Sequence, residues 1–179
     1  MEMDPVSIIA QGFGLLGMAF AFWSFQKKDN GGFFVLQALC SVMFAINFGM
    51  IGAVSGVLFN ISGVLRGVLF HKGDHKVWKL LVVEAAFLVS LVVSLVFYTT
   101  GTVNALLSLF TYIGLSVGTY VMWTGSGKNI RYVQLFLVSP SWLAYNTVHF
   151  TIGGILCETF NIISTIISFI RYGKDGFEQ

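Results

Sequence analysis

The chain has 179 residues, of which 56% are hydrophobic and only 10% charged, with a formal net charge of +2 and a mean hydropathy of +0.82. Soluble domains carry about 25% charged residues, so this composition excludes a water-covered globular domain, and so small a net charge gives no hold on nucleic acid. What remains is an all-α polytopic membrane protein whose first partner is the lipid bilayer.

The opening "MEMDPVS" is acidic where a cleavable signal would be basic, so the first apolar run is expected to stay as a span. Apolar runs in lipid must be helices, because no open backbone can be hydrated there. In chain order the runs predict seven spans: Ile8–Phe25, Phe33–Met50, Gly52–Phe70, Leu80–Tyr98, Val103–Trp123, Tyr132–Phe150 and Ile152–Arg171. Polar breaks such as "QKKDNGG", "HKGDHK" and "GSGKN" separate most of them. Two breaks, "MIGA" and "HFTIGG", are short, and their glycines favour tight turns over one overlong helix. Cys40 and Cys157 fall inside apolar runs and read as small buried hydrophobes, with no metal-ligand spacing. No cofactor is expected.

In a seven-span arrangement all the basic residues fall on one side. Lys27 and Lys28 follow span one; Arg66, Lys72, Lys76 and Lys79 surround the loop after span three; Lys128 and Arg131 follow span five; Arg171 and Lys174 end span seven. The positive-inside rule makes that side cytoplasmic, with the N-terminus outside and the C-terminus inside.

An internal repeat is also visible. Gly14, Leu15, Trp23 and Lys28 of span one align with Gly114, Leu115, Trp123 and Lys128 of span five. "AIN" ending at Asn47 aligns with "AYN" ending at Asn146, and Gly52, Gly56, Asn60, Gly63 and Gly67 align with Gly153, Cys157, Asn161, Ser164 and Ser168. Two like-oriented triplets, 1–72 and 102–179, joined by a linker helix within 73–101, make a single membrane domain. The small residues recur on one helix face. Spans three and seven are therefore expected to be inner helices facing the seam between the halves, with spans one and five nearer lipid.

Asn60 and Asn161 lie near mid-membrane, where a carboxamide must find a partner or water. Two readings stand open: interhelical hydrogen bonding, or a solute site at the repeat interface. Asn47, Asn146 and Trp142 join the candidate site. Glu158, one turn from Asn161 and matched by Val57 in the first copy, is an ionisable group inside a span, and so a candidate for binding or proton coupling. Glu84 reads as a partner for Arg66 or a loop lysine, and Arg66 as a side chain that reaches the cytoplasmic surface. Pro140, in "SPSW" within span six, is a candidate hinge with Ser41 at the matching position of span two. No nucleophile–base pair or paired carboxylates suggests an enzyme.

The triplet–linker–triplet arrangement, with an Asn on the third helix of each triplet (Asn60 and Asn161), resembles the SWEET sugar transporters and their half-size relatives. At closer range the segments "AQGFG" (Ala10–Gly14), "IGAVSGVLFNISGVLRG" (Ile51–Gly67) and "IGGILCE" (Ile152–Glu158), with the run ending at Arg171, resemble the bacterial inner membrane protein YgjV family. That resemblance implies an inner-membrane location and the fold, but no substrate. The expected function is transport of a small polar solute by rocking of two bundles. The competing expectation is a non-transporting scaffold or regulator, which predicts asparagines sealed in helix contacts; a homo-oligomer is compatible with either.

Overall fold

In the computed structural model, residues 4–27, 29–125 and 127–172 are described. Lys28 and Lys174, and the side chains of Lys128, Ser168 and Arg171, on which part of the charge and repeat pattern rests, lie outside the described residues.

Seven helical rods carry the described chain. They are α1 (Pro5–Ser24), α2 (Asn30–Met50), α3 (Val54–Phe70), α4 (Val77–Tyr98), α5 (Thr102–Thr124), α6 (127–148) and α7 (Ile152–Tyr172). Local chemistry sets their ends. Asp4 caps α1 by accepting from the Ser7 N–H at 2.6 Å, with Pro5 at the first helical position, and Asp29 caps α2 through Gly32 N–H at 2.5 Å. Gly125, in the left-handed region at φ 73°, ends α5. The rods coincide with the expected spans to a few residues, with two differences. Gly52 is not on the α3 face: it sits in the preceding turn at φ 76°. α6 begins earlier than Tyr132, and its middle is a π-turn over Gln134–Val138, directly before Pro140, where the Ser139 N–H reaches back to the Gln134 carbonyl. A proline cannot donate to the ladder, and a π-turn is one way a helix absorbs such a break. α4 also ends in a π-turn, Ser94–Tyr98, without a proline.

Four rods (α1, α2 from Gly31, α4 and α5) are long and apolar enough to cross a membrane on that basis alone; α3 and the Ile152–Ile167 part of α7 are shorter apolar helices. Large apolar side chains such as Val96, Phe97 and Phe136 face outward, while serines, threonines and asparagines are buried. This distribution suits lipid outside and polar contacts within.

Each rod packs on its neighbours in sequence, and α7 closes the circle against α1. The small-residue face of α3 is therefore used differently from expectation. A Cβ on Gly56 would lie 2.6 Å from Phe48 Cγ, one on Gly63 2.8 Å from Ser41 Oγ, and one on Gly67 2.7 Å from Ala38 Cβ. That face seats α3 on α2, inside one triplet. α3 and α7 are not packed together; across the seam α7 meets α1, where a Cβ on Gly153 would fall 2.1 Å from the Gly14 carbonyl carbon. Spans one and seven thus form the close seam, because glycine stands on both sides of the crossing and lets the backbones touch.

The two tight turns share one hydrogen-bond pattern. Ala53 N–H donates to the Phe48 carbonyl at 2.9 Å and Gly52 N–H to Gly49 at 3.3 Å; Thr151 N–H donates to Asn146 at 2.9 Å and Phe150 N–H to Thr147 at 3.3 Å. Both are Schellman caps, which need a left-handed residue. The first uses Gly52; the second forces Phe150, exposed, to φ 52°. A left-handed non-glycine residue costs about 1–2 kcal/mol. Phe150→Gly should accordingly raise the unfolding temperature in detergent, by the equivalent of about 1 kcal/mol after the added freedom of the unfolded chain is counted. An unchanged or lower midpoint would refute strain at this turn.

The loop between α3 and α4 carries a small charge cluster: Asp74 takes Lys79 on Oδ1 and Lys76 on Oδ2 at 3.5 Å. The hydrogen bond from Lys79 holds the Asp74 carboxyl below the usual carboxylate range. A depressed folded-state pKa contributes stability above the unfolded value, lost as pH falls through the folded one. The melting-point gap between wild type and Asp74→Asn should thus be present at neutral pH and close as the pH drops below about 4. A gap that persists in acid would show that the cluster does not act through ionisation.

Candidate functional site

The ring of rods encloses a cavity of about 360 Å³, a volume in the range of small-molecule sites. Among the described residues its wall comes from six rods; α4 contributes none. At one end stand Phe48, Trp142 and Asn146, at mid-depth Asn60, Glu158 and Asn161, and at the other end Phe25, Arg66, Ile130 and Arg131, beside the basic loops after α1 and α5.

Asn60 is 8% exposed, and its Nδ2 donates to the Gly56 carbonyl of its own helix at 2.8 Å. Asn161 donates from Nδ2 to Glu158 Oε2 at 3.3 Å, also within one helix. Among the described hydrogen bonds neither carboxamide crosses to another rod. Each is held locally and presented to the cavity, an arrangement that interhelical bonding would not produce. Glu158 stands beside them, with the Ser139 hydroxyl also against it.

The end beside Asn146 is closed by side chains that join the two halves. Phe48 of α2 stacks on Trp142 of α6 at 5.8 Å and meets Tyr145 edge-on at 5.5 Å. The Tyr145 hydroxyl accepts from the Gly56 N–H at 2.8 Å, capping one of the amides that the first turn of α3 leaves unpaired. Ser108 of α5 donates to Ser55 of α3 at 3.0 Å. Gln11 of α1 clasps the α6–α7 turn: its Nε2 donates to the Phe150 carbonyl at 2.8 Å and its Oε1 accepts from the Ile152 N–H at 2.8 Å. At the opposite end Arg66 donates from Nη1 to Thr119 Oγ1 at 3.2 Å and lies over the Phe87 ring at 5.7 Å.

Asn60, Asn161, Glu158, Asn146 and Trp142 therefore share one cavity. Asn47 does not: fully buried beside Gly14, it donates to the Ala10 carbonyl at 2.6 Å and ties α2 to α1. Pro140 lies off the wall, next to the π-turn. Arg66 is on the wall, its head held by Thr119 and Phe87. Glu84 makes no ion pair among the described residues; it accepts from Ser116 Oγ at 2.6 Å. Sequence reasoning passed over Gln37, Ser41 and Gln134 on the wall, and Gln11 in the clasp. A polar residue inside an apolar run was the available signal for each.

A closed ring of apolar-surfaced helices around a largely apolar cavity that carries a few polar groups defines a polytopic helical membrane protein. Across residues 8–175 the chain matches the Imp-YgjV family, described as bacterial inner membrane protein, and it belongs to that family. No curated protein and no solved structure matches it.

Proposed function

We propose that the protein carries a small polar solute across the inner membrane, with Asn60, Asn161 and Glu158 as the binding groups. The observation behind this reading is that both asparagines spend their hydrogen bonds within their own helices while facing a common cavity. A scaffold has no use for such a space. Placing the basic loops in the cytoplasm puts the N-terminus outside and makes the conformation described here cytoplasm-facing, its outer end shut by Gln11, Tyr145 and the Ser55–Ser108 bond. Alternating access then exchanges these outer links for closure near Arg66, with the π-turn and Pro140 letting α6 bend.

A stabilisation screen of purified protein against metabolites tests the reading. At least one polar solute should raise the melting temperature of the wild type. The Asn60→Leu/Asn161→Leu double variant should fold yet lose the shift, since each substitution removes only a same-helix bond. A shift retained by the double variant would remove these residues from the site, and no shift with any solute would return the protein to the scaffold class.

A further inference from the structure

The cavity wall is electrically lopsided. Its closed half carries the Glu158 carboxylate; Asn146 also lines it, but its Oδ1 is buried against Gly154. Its other half carries Arg131, which has an interaction of its own, and Arg66, whose guanidinium has five N–H donors, while a single hydrogen bond, to Thr119, is described. Glu84 contributes to the field at Arg66, but its Oε2 is taken by Ser116 and it stands beyond ion-pair distance. Glu158 likewise enters no ion pair among the described residues. Glu158 and Arg66 therefore share one cavity without pairing to each other, and Cys40 on the wall lies in the field of both. Counted along α7 from Ile152 and along α3 from Val54, Arg66 is deeper than Glu158 by roughly 9 Å of helical rise.

An unpaired charge inside a membrane protein is costly, and it usually marks the place where a ligand supplies the missing partner. A neutral sugar would leave both charges unmatched, and a simple amine or acid would match one. A molecule with both groups satisfies each end and adds no net charge to a lipid-embedded site.

We propose that the cavity binds a zwitterionic amino acid, its ammonium on Glu158 and its carboxylate on the Arg66 fork. This rests on the transport reading and narrows it to a substrate class. The Arg fork matches a carboxylate in two parallel bonds, which a lysine cannot reproduce.

The test is a thermal-shift titration of purified full-length protein with glycine, β-alanine, γ-aminobutyrate and ε-aminocaproate, set against butylamine, butyrate and glucose. At least one amino acid should stabilise the wild type more than either single-charge analogue, and the best chain length reads the spacing of the two sites. Glu158→Gln and Arg66→Gln should each lose that shift. Arg66→Lys, which keeps the charge and guards against simple misfolding, should weaken it. Equal stabilisation by butylamine or butyrate, or an amino-acid shift that survives both glutamine variants, would overturn the proposal. Stabilisation by glucose alone, lost in the double-Leu variant, would overturn it too while leaving the transport reading intact, and so would no shift from any of these compounds.

Discussion

Gly153→Ala will separate α1 from α7 and destabilise the protein by about 3 kcal/mol or more, at the upper end of overpacking costs. The added methyl would stand 2.1 Å from the Gly14 carbonyl carbon and 2.6 Å from the Leu15 nitrogen, so the obstacle is backbone and cannot rotate away. The helices must part, and the contacts around the crossing loosen with them. Gly12→Ala is the control: a Cβ there meets nothing within 4 Å, so it should be near neutral or slightly stabilising through better helix propensity. Unfolding followed in detergent or bicelles reads both. Equal stability of Gly153→Ala and wild type would show that the α1–α7 crossing is not the tight seam described.

The second large effect is expected at Gln11→Leu. This substitution removes a donor and an acceptor together, leaving the Phe150 carbonyl and the Ile152 N–H without their described partners. An unsatisfied buried group costs about 1–3 kcal/mol, and water reaching the turn recovers part of it, so a loss of about 2–4 kcal/mol is expected. Gln11→Glu separates the two bonds. Ionised, it keeps an acceptor for Ile152 N–H but places a carboxylate against the Phe150 oxygen and should fall below wild type. At a pH where the carboxyl is protonated, its O–H can donate to that oxygen and stability should approach wild type. If Leu is tolerated without loss, the clasp contributes nothing to closure of that end.

The sequence made the seven rods legible because lipid allows an apolar run almost no alternative to a helix. It made Asn60, Asn161, Glu158, Asn146 and Trp142 legible as a group because polar or amphipathic residues in such runs turn inward. It did not separate Asn47 from Asn146. A buried carboxamide can be satisfied by a neighbouring backbone carbonyl, here that of Ala10, and spacing along a strand of sequence carries no information about that neighbour. The glycine face of α3 had the same limit: periodicity identifies a face, not the helix pressed against it, and α2 took the place expected for the opposite half. Gln11 was hidden by distance. Its partners lie 139 and 141 residues away and exist only once the ring closes. The contacts of Arg66 were hidden in the same way, because its partners Thr119 and Phe87 belong to other rods.

The contact of Gly14 with Gly153 has a mechanical consequence. Two rods whose main chains already touch can turn about that point more easily than they can slide or part, so it acts as a fulcrum. From Gly14 the remainder of α1 forms a lever arm of roughly 15 Å down to Ser24. A swing of about 10° there would carry the far tip through some 2–3 Å, by the same helical rise. A modest tilt at the glycines would thus be felt chiefly at the opposite mouth, where the aperture is set.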